Sequence, residues 1–206
     1  MADAAGALGV VADVTDAAAM HAAVAAAVGR FGGLDGVFNN AGTEQAGAAM
    51  IAAGDYPLDD FDRVIAINLK GMLIAMQAEL PAMLAAGRGA IVNTASVMGW
   101  FASAGMAAYA ASKHGAVGLT KAAALDYAGR GIRVNALLPG AVRTPMLTER
   151  AVVANPGYEA VAGTMHPIGR LAEPEEVAEA AAWLLSDRAS FVTGATLAVD
   201  GGFSAM

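Results

Sequence analysis

Tyr109 and Lys113 form the residue pair in this sequence whose types and spacing best suit proton-transfer chemistry. They are four residues apart in a segment with helical periodicity, so they share one helix face. Tyrosine alone is a poor acid or base at neutral pH, because its ordinary pKa is about 10. A nearby lysine cation favours the phenolate and lowers that pKa, which would give a general acid/base for a hydroxyl proton. A surface pair kept for helix stability is the alternative.

Two polar residues earlier in the chain could complete such a site. Ser96 directly follows a predicted strand, where its hydroxyl could hydrogen-bond a substrate oxygen, although capping a turn is the commoner role of a serine. Asn68 lies inside a long apolar helical segment, where a buried amide needs hydrogen-bond partners. It is either a packing device or the mark of a local helix break that turns a carbonyl towards a water. The sequence offers neither a Gly-x-Ser-x-Gly elbow nor a histidine placed for a Ser-His-Asp site.

Two further strand ends carry residues that could contact a flat ligand. Asn39-Asn40-Ala41-Gly42 ends one predicted strand, and its small residues would let a ligand approach the backbone. A plain turn explains this motif equally well. Asp13 follows another predicted strand and could either hydrogen-bond an adenine amino group or cap the helix that begins near Asp16.

Apolar periodicity predicts the elements that must position these residues. Short apolar runs predict strands at 8–12, 35–39, 90–95, 132–138 and 196–199. Apolar residues at three- and four-residue spacing predict long helices at 16–30, 58–86, 106–128 and 173–186. This alternation indicates βαβ units and a doubly wound parallel sheet with helices on both faces. Ligands bind such sheets at the carboxyl ends of the strands, where Asp13, Asn40 and Ser96 are expected.

Composition and charge exclude several classes of function. The chain has 206 residues, which suits a single domain, and no cysteine, which removes disulfides, thiolate nucleophiles and cysteine-ligated zinc. We identify no metal ligands. A net charge of −7 argues against nucleic acid or an anionic membrane as a partner. The uncharged stretch 89–112 contains too many polar residues and glycines for a membrane helix. The absence of cysteine fits a cytoplasmic protein, which is the location we expect.

Seven motifs occur in the order and spacing of the short-chain dehydrogenase/reductases, and the sequence resembles that family from about Leu8 to Phe203. In chain order they are Asp13-Val14-Thr15-Asp16, Asn39-Asn40-Ala41-Gly42, Asn68, Ser96, Tyr109-x-x-x-Lys113, Pro139-Gly140-x-Val142-x-Thr144 and Asp200-Gly201-Gly202. The resemblance implies a Rossmann-type sheet that binds NAD or NADP. It also implies hydride transfer between the nicotinamide and the carbon of a secondary alcohol or ketone.

The resemblance further implies a role for each residue that matches a motif. Tyr109 would be the acid/base, and Lys113 would lower its pKa and hold the nicotinamide ribose. Ser96 would orient the substrate oxygen, and Asn68 would keep a water that links Lys113 to solvent. The cofactor would contact Tyr109 and Lys113 together with Asp13, Val14, Asn40, Ala41, Gly42, Pro139, Gly140, Val142 and Thr144. Residues 145–170 would form a substrate lid, and the protein would be a homodimer or homotetramer.

The sequence departs from the family at its start. The family's opening strand, its Thr-Gly-x-x-x-Gly-x-Gly turn and its second strand have no counterpart in residues 1–206. Because that turn holds the pyrophosphate, we expect an incomplete reductase that binds dinucleotides weakly and does not turn over by itself. Without those two strands, the 35–39 strand would lie at a sheet edge and the 8–12 strand would have no sheet to join. The competing hypothesis is a non-catalytic oligomerisation partner on the same scaffold.

Overall fold

Four parallel strands form one sheet in a computed structural model that describes residues 6–46, 50–147 and 158–206. The strands are β1 (Gly36–Asn39), β2 (Gly89–Thr94), β3 (Ile132–Pro139) and β4 (Thr196–Val199), and they are adjacent in that order. The register pairs Asn39 with Asn93, and it pairs Leu137 with both Thr94 and Leu197. All carboxyl ends therefore lie at one edge of the sheet, as the sequence predicts.

The long predicted helices are confirmed. They are α1 (Ala17–Phe31), α2 (Leu58–Ile65), α3 (Gly71–Ala86), α4 (Ala107–Tyr127) and α6 (Pro174–Leu185), with a short α5 (Tyr158–Thr164) before the last. A π-helical turn, Ala66–Lys70, joins α2 to α3, so that 58–86 is one continuous helical stretch. Asp16 caps α1 by accepting hydrogen bonds from the N–H groups of Ala18 and Ala19 at 2.8 and 3.1 Å.

The helices cover the sheet on both faces, as expected for a doubly wound fold. Side chains that alternate along a strand point to opposite faces. Ile91 packs with Met76 and Met83 of α3, whereas its neighbour Val92 packs with Val177 of α6. The core is therefore a three-layer arrangement, with α3 and α4 on one side of the sheet and α6 on the other.

The predicted strand at 8–12 is wrong. These residues belong to no strand, and Val11 is fully exposed. An apolar run of β-type residues forms a strand only where a neighbouring strand pairs with its backbone. Among the described strands β1 pairs with β2 alone, so no strand lies beside residues 8–12 to pair with them. The expectation that the 35–39 strand lies at a sheet edge is met.

One helical stretch among the described residues, Leu58–Ala86, is long and apolar enough to cross a membrane by length and composition. The fold buries 56% of its most apolar window. A core helix of a soluble protein passes the same test, so this stretch is weak evidence for a membrane span. The uncharged residues 89–112 instead form β2, a short helical turn and the first residues of α4.

Candidate active site

Tyr109, Lys113 and Ser96 come together beyond the carboxyl end of β2. Successive turns of α4 carry Tyr109 and Lys113, and Lys113 Nζ lies 5.5 Å from the centroid of the Tyr109 ring. Lys113 is only 4% exposed, and its Nζ donates a hydrogen bond to the carbonyl oxygen of Thr94 at 3.0 Å. The Ser96 hydroxyl is close enough to the Tyr109 phenol for a side-chain hydrogen bond that lowers the pKa of Tyr109. Ser96 Oγ also accepts from the N–H of Met98 at 3.2 Å, so this serine caps a turn as well.

Two glycines allow these elements to approach each other closely. A Cβ on Gly99, in the turn after Ser96, would lie 2.9 Å from Val117 Cγ2 and 3.0 Å from the Lys113 carbonyl oxygen. A Cβ on Gly115 would lie 2.7 Å from Leu69 in the π-helical turn. A larger side chain at Gly99 would press on the Lys113 backbone and push the Ser96 turn away from α4, and one at Gly115 would displace the Leu69 side chain. The two glycines therefore help to set the distances within the site.

Asn68 occupies the π-helical turn, so the local helix break that the sequence suggested is present. Asn68 is 1% exposed, and both the oxygen and the nitrogen of its side-chain amide form hydrogen bonds. Oδ1 accepts from the N–H of Thr43 at 2.7 Å, and Nδ2 donates to the carbonyl oxygen of Thr43 at 2.8 Å and to Ser112 Oγ at 3.0 Å. Asn68 thus fixes the backbone that follows β1 against α4.

The pKa of Tyr109 differs from the expectation that Lys113 would lower it. Burial raises the pKa of Tyr109 to about 12, the negative charge of Glu44 raises it further, and the hydrogen bond with Ser96 opposes this. Burial lowers the pKa of Lys113 to about 8, against the opposing effect of Glu44. In this structure the pKa of Tyr109 therefore lies above its ordinary value, because burial disfavours the phenolate.

Glu44 is the site residue that the sequence reasoning missed. Its charge acts on both Tyr109 and Lys113, although it is distant from them in sequence. The sequence feature that could have indicated Glu44 is its position two residues after Gly42, on the loop that follows the carboxyl end of a strand. Gly42 itself lies against the site, since a Cβ there would be 3.5 Å from Asn68 Oδ1 and 3.6 Å from Lys113 Nζ.

Several residues predicted to bind a cofactor line a cleft of about 190 Å³ beside this site. The cleft includes Val14, Asn40 and Ala41, with Phe38 and Ile67 as apolar walls. Asn40 Oδ1 accepts a hydrogen bond from Thr94 Oγ1 at 2.9 Å, which ties β1 to β2 at the cleft.

Asp13 lies outside the residues that line this cleft, and it is exposed. Its Oδ1 accepts hydrogen bonds from the backbone N–H and the hydroxyl of Thr15, both at 2.8 Å, and these bonds lower the pKa of Asp13. Of the two roles considered for Asp13, helix capping belongs instead to Asp16.

The residues after β3 form a separate cluster. Gly140 packs so closely on His166 and Asp200 that a Cβ would lie 2.5 Å from His166 Cε1. The N–H of Ala141 donates to His166 Nε2 at 3.2 Å, and His166 Nδ1 lies 2.6 Å from the carbonyl oxygen of Asp200. The N–H of Thr144 donates to the carbonyl oxygen of Val142 at 2.8 Å. Pro139 is therefore the last residue of β3, the strand next to β2, and Gly140, Val142 and Thr144 follow it. Val142 also packs against the apolar cluster of Val92 and Val177, between the sheet and α6.

Three large apolar side chains in or near the predicted lid are partly exposed rather than part of the core. Trp100, Met146 and Met165 are 38–48% exposed. Core packing alone therefore does not account for these three side chains. Residues 148–157 of the predicted lid lie outside the described residues.

Comparison with known proteins decides the family. A family model described as enoyl-(acyl carrier protein) reductase matches residues 1–204. The chain is a short-chain dehydrogenase/reductase. It is 49% identical over 195 residues to 2,5-dichloro-2,5-cyclohexadiene-1,4-diol dehydrogenase of Sphingobium indicum, covering 94% of this chain and 76% of the relative. It is also 47% identical to cyclohexanol dehydrogenase of an Acinetobacter species, covering 90% of this chain and 70% of that protein.

Solved structures support the same assignment. The crystal structure of levodione reductase matches with a TM-score of 0.90 and 40% identity, covering 97% of this chain and 78% of that chain. The structure of ElxO with NADP bound matches with a TM-score of 0.86 and 31% identity, covering 94% and 77%. The Rossmann-type fold and the family are confirmed, and this reductase is an oxidoreductase that uses NAD or NADP.

Proposed function

We propose that this short-chain dehydrogenase/reductase interconverts a secondary alcohol and a ketone, with Tyr109 as the acid/base. The observation that carries the proposal is the convergence of Ser96 and Lys113 on Tyr109. One hydrogen-bonding hydroxyl and one buried cation beside a phenol are what a proton transfer to a carbonyl oxygen requires. The bound nicotinamide would supply or accept the hydride.

The charge states of the pair suit ketone reduction at neutral pH. With a pKa of about 12, Tyr109 keeps its proton and can donate it to the oxygen of a reduced carbonyl. Lys113, whose pKa is about 8, can exchange a proton near neutral pH. Its Nζ is held by the Thr94 carbonyl, so it stays close to the tyrosine ring. Ser96 would hold the substrate oxygen beside the phenol, and Asn68 would fix the surrounding backbone.

The dinucleotide would lie along the carboxyl ends of the strands. The cleft of about 190 Å³ has an apolar wall from Val14 and a backbone wall from Asn40 and Ala41, which fits the adenosine part. Gly42 continues the same backbone towards Lys113, where the nicotinamide ribose would be held. Asp13 would contact the adenine, and Pro139, Gly140, Val142 and Thr144 would cover the nicotinamide amide and the phosphates.

We infer that the substrate is a secondary alcohol or ketone on a six-membered carbon ring. The diol dehydrogenase and cyclohexanol dehydrogenase relatives are named for such rings. Trp100, Met146 and Met165 offer exposed apolar surface suited to a ring, and the 145–170 lid would close over it.

We also infer a homodimer or homotetramer in the cytoplasm, assembled through the stretches 58–86 and 107–127. Leu125 on α4 is 84% exposed and Leu73 on α3 is 40% exposed, which leaves apolar surface for a second copy. Sedimentation at micromolar concentration tests this assembly, and a monomer would contradict it.

The activity test uses the protein expressed from its whole reading frame, with cyclohexanol and cyclohexanone as substrates. We expect a change in absorbance at 340 nm with NAD(H) or NADP(H), and slower reaction with open-chain alcohols of similar size. No change with either cofactor across a panel of cyclic and open-chain substrates would contradict the proposal. That result would favour the non-catalytic partner.

A further inference from the structure

The loop that follows β1, residues 43–46, is held from one side by a two-residue clamp on α2. We propose that Arg63, paired with Asp60, is a positioning residue that keeps this loop, and with it Glu44, beside Tyr109 and Lys113. The proposal rests on the proposed function, because it concerns how the acid/base pair is set up.

Arg63 binds the loop with both arms of its guanidinium group. Nη1 donates to Thr43 Oγ1 at 3.0 Å, and Nη2 donates to the carbonyl oxygen of Glu44 at 2.7 Å. The same group donates to Asp60 Oδ1 through Nε at 3.0 Å and through Nη2 at 2.7 Å. A planar fork that reaches three acceptors at once fixes direction as well as distance, which a flexible lysine does not.

Asp60 holds the far end of the same loop. Its two carboxylate oxygens accept from the N–H of Ala46, both at 3.1 Å, and Oδ2 accepts from the hydroxyl of Tyr56 at 2.8 Å. Burial by itself would raise the pKa of Asp60, but these hydrogen bonds and the Arg63 charge outweigh it and lower the pKa. The carboxylate therefore stays ionised and the clamp stays closed at neutral pH.

The clamp connects to the acid/base pair through a chain of hydrogen bonds. Thr43, held by Arg63, is also bound through its N–H and carbonyl by the side chain of Asn68. Asn68 donates to Ser112 Oγ at 3.0 Å, and Ser112 Oγ donates to the carbonyl oxygen of Tyr109 at 2.8 Å. A displacement of the loop would therefore reach α4 at the residue that carries the phenol.

The consequence for the chemistry lies in the Glu44 charge. Among the described groups, Glu44 is the charged side chain that acts on both members of the pair, while Ser96, Asn68 and Ser112 contribute neutral hydrogen bonds. Glu44 raises the pKa of Tyr109 and also that of Lys113. Release of the loop would move the Glu44 charge away from Tyr109 and Lys113. The pKa values of both residues would then fall, and each would lose its proton at lower pH.

The first experiment needs no turnover. Amide hydrogen exchange is measured at Thr43 and Ala46 in wild type, Arg63→Gln and Arg63→Lys, with unfolding followed by circular dichroism. We expect exchange at both amides to rise by about tenfold or more in Arg63→Gln and by less in Arg63→Lys. Arg88→Gln is the matched control, because the Arg88–Asp35 ion pair is 76% exposed at both partners and should leave these amides unchanged.

The second experiment measures the pH profile of turnover for the same variants and for Glu44→Gln. We expect Arg63→Gln and Glu44→Gln to shift the profile to lower pH by about 0.5–1 unit, and the double variant to shift it no further than either alone. If the Thr43 and Ala46 amides exchange at the wild-type rate in Arg63→Gln, Arg63 does not hold the loop and the proposal is wrong. Faster exchange with an unmoved pH profile would overturn the positioning role. Absence of turnover in wild type would instead contradict the proposed function, and the exchange measurement would still decide whether Arg63 holds the loop.

Discussion

Glu79→Gln should stabilise this protein in a way that depends on pH. Glu79 lies on α3, is 2% exposed and faces the sheet. Its Oε2 accepts one hydrogen bond, at 3.2 Å, from Asn39 Nδ2, which also donates to Asn93 Oδ1 at 3.0 Å. Burial raises the pKa of Glu79 from 4.5 to about 7, and the hydrogen bond from Asn39 only partly opposes this.

The sign and size of the effect follow from linkage. A carboxyl group whose pKa is higher in the folded than in the unfolded state binds its proton more tightly when folded. Stability is therefore full below pH 4.5, falls as the pH rises towards 7, and is constant above that. With about 1.4 kcal/mol per pKa unit, the loss in wild type reaches about 3 kcal/mol. Glutamine has nearly the same shape, can accept the Asn39 hydrogen bond and does not ionise.

Urea unfolding by circular dichroism between pH 5.5 and 8.5 tests this. The advantage of Glu79→Gln in free energy of unfolding should grow by about 2 kcal/mol from pH 5.5 to about 8 and then level off. At pH 8 it corresponds to a rise in Tm of about 6–12 °C. Glu179→Gln, at an exposed position of α6, is the matched control and should stay within about 0.5 kcal/mol of wild type. A difference between Glu79→Gln and wild type that did not vary with pH would refute the reasoning.

Three further substitutions test the fold by thermal or urea unfolding. Gly29→Ala lies on an exposed part of α1 with open space around it, and should stabilise by about 0.5–1 kcal/mol. Gly131→Ala should destabilise by about 2 kcal/mol or more, because Gly131 has φ +80° and a Cβ there would lie 2.3 Å from the Gly87 carbonyl oxygen. An unchanged stability would contradict this backbone conformation at Gly131. His166→Ala should destabilise by about 1–3 kcal/mol, since it leaves the half-buried N–H of Ala141 without its acceptor. No measurable loss would argue against this contact.

The fold was largely predictable because long apolar periodicity reflects which faces are buried. Helices 58–86 and 106–128 follow from that pattern, and so do the four strands of the sheet. Residues 8–12 have the same local pattern as a strand, yet Val11 is fully exposed. Strand formation depends on a paired neighbour, and a local sequence window does not contain that information.

The site was predictable where chemistry constrains residue type and spacing. Tyr109 and Lys113 are one helical turn apart, so sequence spacing fixes their relation. Asn68 suggested a helix break, but its partners Thr43 and Ser112 lie 25 and 44 residues away and carry no local signal. The charge of Glu44 was missed for the same reason. The upward pKa shift of Tyr109 was missed because its main cause, burial, is a property of the fold.

The most direct test of the account compares turnover of wild type and Tyr109→Phe, in protein expressed from the whole reading frame. Phenylalanine keeps the ring packing beside Lys113 and removes only the hydroxyl that hydrogen-bonds Ser96. With cyclohexanone and the reduced cofactor, kcat should fall by about 10²–10⁴-fold, while the Kd of the cofactor stays within about twofold. Turnover of Tyr109→Phe close to the wild-type rate would contradict the assignment of Tyr109 as the acid/base.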